Sequence, residues 1–216
     1  MLKSIAAFTA LLAWCAALVA VRTARADSLL FAFLVWNLFL AAIPYVASLA
    51  FEVLDRYRRV RPLQWACFVV WLLFLPNAPY IITDFIHLKY RPPIPLWYDV
   101  LMLLSCAGAG LLLGYASVMI VHRIVARHYG TLAGWATALV AMFLSAFGIY
   151  LGRFLRWNSW EAFTEPMPLF HDIATRIMNP LQYPRTFAVT GLFGIALCVG
   201  YIALDIVVES ESEHRH

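Results

Sequence analysis

Long apolar stretches alternate with short polar connections along this chain. Six of the stretches are each about 18 to 24 residues long, and roughly 20 residues are needed to cross a hydrocarbon core of about 30 Å. They lie near residues 4–21, 29–51, 63–82, 98–121, 132–152 and 186–208. The pattern predicts an all-α polytopic transmembrane helical bundle of about six helices, which forms a single transmembrane domain over residues 1–208.

The two ends of the chain need separate interpretation. Lys3, the apolar run and Ala24-Arg25-Ala26 before Asp27 together resemble a signal peptide with its cleavage site. The apolar run is long for a signal peptide, which favours a retained first helix. Residues 209–216 are charged and lack an apolar periodicity, so they predict a disordered tail.

Composition agrees with the membrane prediction. Of the 216 residues, 63% are hydrophobic and 13% charged, against about 45 to 50% and about 25% in soluble proteins. The net charge of +4 comes from basic residues that mostly flank apolar stretches, which indicates membrane orientation rather than nucleic-acid binding. Membrane lipids are therefore the expected partners, and protein partners are unknown. The four cysteines lie inside apolar stretches without C-x-x-C spacing, which favours packing over a disulfide framework or a zinc site.

Orientation follows from Lys and Arg residues beside the helices. If the N-terminus is cytoplasmic, eight of these residues lie on each side of the membrane. The dense cluster from Arg56 to Arg61 weakly favours a cytoplasmic N-terminus, because several arginines on the other side are candidate site residues.

The third helix contains two prolines at membrane depth. Pro76 and Pro79 lack the amide hydrogens that would bond the carbonyls of Leu72 and Leu75. We expect the helix to be broken there, about 20 Å into the hydrocarbon core. Irregular backbone at this depth is tolerated mainly where it is buried in protein or lines a wet cavity. Asn77 could bond part of the freed backbone.

Polar side chains follow this break. If α-helix resumes, Tyr80, Asp84 and His87 lie on one face near the outer membrane surface. A carboxylate beside an imidazole can form an acid/base pair or share a cation, so Asp84 and His87 are the candidate catalytic residues. The alternative is that Thr83 or Asp84 caps a short helix and His87 lies among lipid head groups.

A second polar segment ends the fifth helix. Arg153 and Arg156 are one turn apart among aromatic residues, followed by Trp157 and Asn158. One hypothesis is a clamp for a phosphate or carboxylate, which guanidinium groups bind in bidentate fashion. The other is an interfacial aromatic belt with snorkelling arginines. On the first hypothesis the candidate substrate-binding residues are Asn77, Tyr80, Arg153, Arg156, Trp157 and Asn158.

An amphipathic helix is predicted between the fifth and sixth helices. Over residues 169–179 one half of the helical wheel is apolar, and the other carries His171, Asp172, Thr175, Arg176 and Asn179. We expect this helix to lie in the membrane interface, with a solvated polar face. The alternative is that His171 and Asp172 complete a shell with Asp84 and His87 for a divalent metal, which is the candidate cofactor.

Small residues predict close helix contacts. Gly110 and Gly114 in the fourth stretch, and Gly148 and Gly152 in the fifth, form G-x-x-x-G patterns. This spacing allows helix backbones to approach closely.

The sequence resembles the bacterial integral membrane proteins grouped as domain of unknown function 1361. The resemblance rests on Pro76-Asn77-Ala78-Pro79-Tyr80 with Thr83-Asp84 and His87, and on Gly152-Arg153-Phe154 with Arg156-Trp157-Asn158-Ser159-Trp160. It extends over most of the chain. It implies a multi-pass protein of the bacterial inner membrane and assigns no activity.

Three hypotheses for function follow. The first is a membrane-embedded hydrolase or transferase with an outward-facing Asp/His/Arg site, which acts on a lipid or a lipid-linked envelope substrate. The second is a transporter or permease for a small anionic solute, whose pathway the opened third helix would line. The third is a non-catalytic assembly or interaction protein.

Overall fold

The structure is a computed structural model that describes residues 2–57 and 61–213, with backbone alone for residues 211–213. The chain forms two compact units, residues 1–117 and 118–216. One long helix, α5, contributes its first part to one unit and its last part to the other.

The first unit is built from helices that carry apolar side chains on most of their surface. Helix α1 spans Leu2–Ala26 and α2 spans Phe33–Arg56. The third span consists of α3 (Arg61–Phe74), the short α4 (Asn77–Tyr80) and a 3₁₀-helix (Ile81–His87). Helix α5 spans Leu96–Tyr129. The core of this unit is a cluster of buried apolar side chains from α1, α2, the broken third span and α5.

The second unit begins in α5 and continues into α6 (Thr131–Tyr150), which ends in a π-helical turn (Leu151–Leu155). Two helices follow on the connection, α7 (Glu161–Thr164) and α8 (Pro166–Met178). The last helix, α9, spans Pro184–Glu213 and packs along α6.

The predicted membrane spans are confirmed. Among the described residues, six helical segments are long and apolar enough to cross a membrane. Helix α5, with 34 residues, is about 50 Å long and continues beyond the predicted end at residue 121. The predicted disordered tail is helical as far as Glu213, because no Pro or Gly interrupts a helix that is already formed. Residues 214–216 lie outside the described part of the chain.

The predicted break in the third span is present. Pro76 separates α3 from α4, and new partners bond carbonyls on the α3 side of the break. The Asn77 side-chain amide donates to the carbonyl of Phe74 at 2.9 Å, as the sequence suggested. The amide of Ala78 donates to the carbonyl of Leu75 at 3.1 Å, and thereby replaces the donor that Pro79 lacks.

Two glycines of α5 pack against this break. A β-carbon at Gly110 would lie 2.3 Å from the carbonyl oxygen of Ala78, and one at Gly114 would lie 3.0 Å from the Ala78 β-carbon. The prediction of close packing is therefore confirmed for this pair. For Gly148 and Gly152 it stays a prediction.

A buried ion pair attaches α1 to the first unit. Nε of Arg22 lies 3.2 Å from Oδ1 of Asp99, and the two side chains are 2% and 1% exposed. The guanidinium of Arg22 also stacks on the ring of Phe31, and the hydroxyl of Tyr98 donates to the carbonyl of Leu18 at 2.9 Å. Removal of α1 would take away the cation that pairs with the Asp99 carboxylate. Retention of the first helix stays a prediction.

Candidate functional site

Asp84 is a buried carboxylate at the end of the third span. Its side chain is 1% exposed, and Oδ2 accepts a hydrogen bond from Nδ2 of Asn37 at 2.9 Å. Asn37 belongs to α2, which packs against the third span. Ionisable groups inside a membrane are costly to bury and commonly mark functional sites.

His87 lies one 3₁₀ turn beyond Asp84 and is exposed. Its ring packs edge-on against Phe33, with the ring centroids 5.4 Å apart. The acid/base pair of Asp84 and His87, one of the two hypotheses from the sequence, stays a prediction. A carboxylate bonded to Asn37 and an accessible imidazole follow each other along one side of the helix.

Tyr80 does not share a helix face with Asp84, as it would if α-helix resumed after the break. The segment from Ile81 to His87 is a 3₁₀-helix, in which three residues complete a turn and side chains at i and i+3 eclipse. Asp84 is therefore aligned with Ile81 and His87, whereas Tyr80 is turned away by about 120°. Tyr80 is half-buried, and its carbonyl accepts a hydrogen bond from the Thr83 hydroxyl at 2.7 Å.

In the second unit, the predicted arginines lie where α6 ends. Arg153 is half-buried in the π-helical turn, and Arg156 follows the turn with an exposed side chain. Arg156 has a φ of 65°, a left-handed conformation that L-residues other than Gly, Asn and Asp rarely adopt. The amide of Trp157 then bonds the carbonyl of Leu151 at 3.2 Å, which resembles the bond that closes a helix before a left-handed cap.

The remaining predicted ligand, Asn158, bonds to a neighbouring carboxylate. Both its backbone amide and its side-chain amide donate to Oε2 of Glu161. These bonds satisfy two donors of Asn158 in the turn that precedes α7. An anion at Asn158 would have to replace Glu161.

Two residues of the polar half of α8, Asp172 and Arg176, are directed toward the protein, whereas the sequence predicted a solvated polar face. Nε1 of Trp157 donates to Oδ2 of Asp172 at 2.8 Å, and Arg176 donates to Oδ1 at 3.1 Å. Burial alone would lower the pKa of Arg176, but hydrogen bonds to Tyr150 and Asp172 outweigh it and raise that pKa. The indole and guanidinium groups compete with water for the carboxylate, which helical periodicity alone does not reveal.

The described residues contain no group of three or more His, Cys, Asp or Glu side chains placed to bind one metal ion. Trp157 and Arg176 already bond both carboxylate oxygens of Asp172, which lies on α8. His171 is exposed on another side of the helix. These bonds favour a structural role for the Asp172 carboxylate over metal binding.

Sequence reasoning missed several buried or partly buried polar pairs. Among them are Asn37 with Asp84, Arg22 with Asp99, and His122 with Tyr201, whose Nδ1 and hydroxyl oxygen are 2.7 Å apart. In each pair at least one member is the kind of isolated polar residue inside or beside an apolar stretch that marks a buried partner. The partners are far apart in sequence, so composition and periodicity do not identify them.

The family described as "Protein of unknown function (DUF1361)" matches residues 36–199. The chain belongs to this family. The matched range includes both the segment from Pro76 to His87 and the segment from Gly152 to Trp160 that suggested the resemblance. No curated protein and no solved structure matches the chain. Membership in DUF1361 therefore places the chain in a family without assigning a reaction.

Proposed function

We propose that this DUF1361 protein is a membrane-embedded hydrolase or transferase that acts on a lipid or lipid-linked envelope substrate at the outer face of a bacterial inner membrane. The observation that carries the proposal is the placement of Asp84 and His87. A buried carboxylate, bonded to Asn37, is followed one 3₁₀ turn later by an exposed imidazole at the end of a membrane span.

In this proposal His87 is the general base. The neutral imidazole takes a proton from water or from an acceptor hydroxyl while the oxygen attacks the substrate phosphorus or carbonyl carbon. The bond to the leaving group then breaks, and the leaving oxygen receives the proton back from the imidazolium. Asp84 supplies a negative charge that favours the imidazolium during this step, while its bond to Asn37 holds the carboxylate in place.

The test uses purified protein in nanodiscs that contain phosphatidylethanolamine, phosphatidylglycerol and cardiolipin. Mass spectrometry follows the lipid species and the released head groups. We expect wild type to convert one of these lipids, and His87→Gln to lower turnover by at least about 100-fold. Asp84→Asn should also lower turnover, although an amide at this position can still accept the hydrogen bond from Asn37.

The matched control is His128→Gln, which makes the same substitution at an exposed histidine in the last turn of α5. It should keep wild-type turnover. Thermal unfolding of each variant checks that the fold is retained. Conversion of none of the three lipids by wild type, or unchanged turnover in folded His87→Gln, would overturn the proposal.

A further inference from the structure

Helix α8 has a side that the protein leaves uncovered. It lies on the connection between two membrane-spanning segments, Thr131–Leu155 and Pro184–Ser210. Because α6 and α9 pack along each other, this connection must lie at one end of the pair. Helix α8 has 13 residues and is about 20 Å long, too short to cross a core of about 30 Å.

The side of α8 directed toward the protein is already bonded. Asp172 accepts hydrogen bonds from Trp157 and Arg176, and the guanidinium of Arg176 stacks on the ring of Tyr183. Leu169, on the same side, is 9% exposed. These contacts determine the rotation of the helix about its axis, because turning it would break the bonds to Asp172.

The opposite side is apolar and exposed. Phe170, Ile177 and Met178 are 64%, 60% and 78% exposed. Met167 on the same helix, and Phe163 and Leu181 on either side of it, are also exposed. In water, contiguous apolar surface of this kind costs about 25 cal/mol for each Å², and soluble proteins rarely expose it in large patches.

We propose that α8 is an in-plane membrane anchor, and that Phe170, Ile177 and Met178 insert into lipid at the boundary between head groups and acyl chains. Lipid is the occupant because both ends of α8 are joined by short connections to helices that cross the membrane. An amphipathic helix at this depth exposes its apolar side to acyl chains. The unusual feature is that two residues of its polar half, Asp172 and Arg176, bond to protein.

The experiment measures the surroundings of single nitroxide labels in the full chain, reconstituted in nanodiscs of equimolar phosphatidylcholine and phosphatidylglycerol. Labels are placed by Phe170→Cys and Ile177→Cys, with Thr175→Cys as the matched control on the polar half of the same helix, about 160° around the axis from Ile177. The protein without an added cysteine gives the background from its native thiols. Power-saturation spectroscopy compares access by oxygen, which concentrates in lipid, with access by a water-soluble nickel chelate.

We expect oxygen access to exceed nickel access severalfold at Phe170→Cys and Ile177→Cys, and the order to reverse at Thr175→Cys. Equal nickel access at all three positions would show that the apolar side faces water. Protection of positions 170 and 177 from both reagents would show that protein covers it. Either result overturns the proposal. The measurement needs no turnover, so it stands or fails independently of the proposed enzymatic function.

Discussion

Gly110 lies so close to Ala78 that a β-carbon on Gly110 would stand 2.3 Å from the Ala78 carbonyl oxygen. The glycine belongs to α5, and the carbonyl belongs to the helix broken by Pro76 and Pro79. This contact allows the break to be covered by protein, as irregular backbone inside a membrane requires.

The first prediction follows from this contact. Gly110→Ala should lower the free energy of unfolding by about 1 to 3 kcal/mol, because the new methyl group meets backbone that cannot move freely. Gly108→Ala is the control, since no atom lies within 4 Å of the β-carbon that it would add. Denaturant unfolding in detergent micelles measures the free energy of unfolding of both variants. Equal stability of the two variants would show that α5 does not pack against the break as described.

The second prediction concerns the buried pair Arg22 and Asp99. Arg22→Met or Asp99→Leu alone should cost about 3 to 5 kcal/mol of unfolding free energy, because the remaining charge is buried without its partner. The double variant should lose less than either single variant. A further reason is that Oδ2 of Asp99 has no hydrogen-bond partner among the described residues, so removal of the carboxylate also removes an unsatisfied atom.

These variants form a double-mutant cycle, and its control is the more exposed pair Arg56 and Glu52 on α2. Nη2 of Arg56 lies 3.5 Å from Oε1 of Glu52. The coupling energy of this pair should stay below about 1 kcal/mol, because water screens it. A coupling energy for Arg22 and Asp99 that is no larger than this would contradict a buried ion pair that attaches α1.

The third prediction separates binding from stability at Arg156. Arg156→Gly should leave the free energy of unfolding unchanged or raise it by up to about 1 kcal/mol, because glycine adopts a positive φ without strain. If the guanidinium binds an anionic head group, the variant should bind short-chain phosphatidylglycerol at least about tenfold more weakly in calorimetric titration. Arg127→Gln, at the end of α5, should bind normally. Unaltered binding by Arg156→Gly would leave only the interfacial-belt interpretation.

The fourth prediction concerns the attachment of α8. Asp172→Ala removes the acceptor for both Trp157 and Arg176, and should cost about 1 kcal/mol because this site is partly exposed. Local detachment of α8 from the protein should then be about fivefold more frequent. Trypsin cleavage after Arg176 measures this detachment. If detachment and reattachment are fast relative to cleavage, the cleavage rate should also rise about fivefold. His171→Ala, at the exposed neighbouring position, should leave the cleavage rate unchanged.

The fifth prediction distinguishes the proposed enzyme from a transporter. A cysteine introduced by Asn77→Cys, in a chain whose native cysteines are replaced by serine, should react with a membrane-impermeant maleimide from the outer side only. Its reactivity should not depend on added anionic solutes. Labelling that alternates between the two sides would favour a pathway through the opened third span over a one-sided enzymatic site.

Much of this architecture is local in origin and was predictable from the sequence. A run of about 20 apolar residues crosses a membrane whatever its neighbours are, so the six spans could be located from length and hydropathy. Proline removes a backbone donor wherever it occurs, so the break at Pro76 and its repair by Asn77 could be expected. The segment from Arg153 to Asn158 was also recognisable as an unusual polar end of a span.

The partners of the buried polar groups were decided by tertiary structure. Asn37 and Asp84 are 47 residues apart, and Arg22 and Asp99 are 77 apart, so their pairing depends on how each helix is rotated and shifted against its neighbours. The 3₁₀ geometry after Tyr80 changed which side chains share a face, because a turn of 3.0 residues replaces one of 3.6. The sequence alone determined that α8 is amphipathic, but only the bonds to Trp157 and Tyr150 decided that Asp172 and Arg176 face the protein.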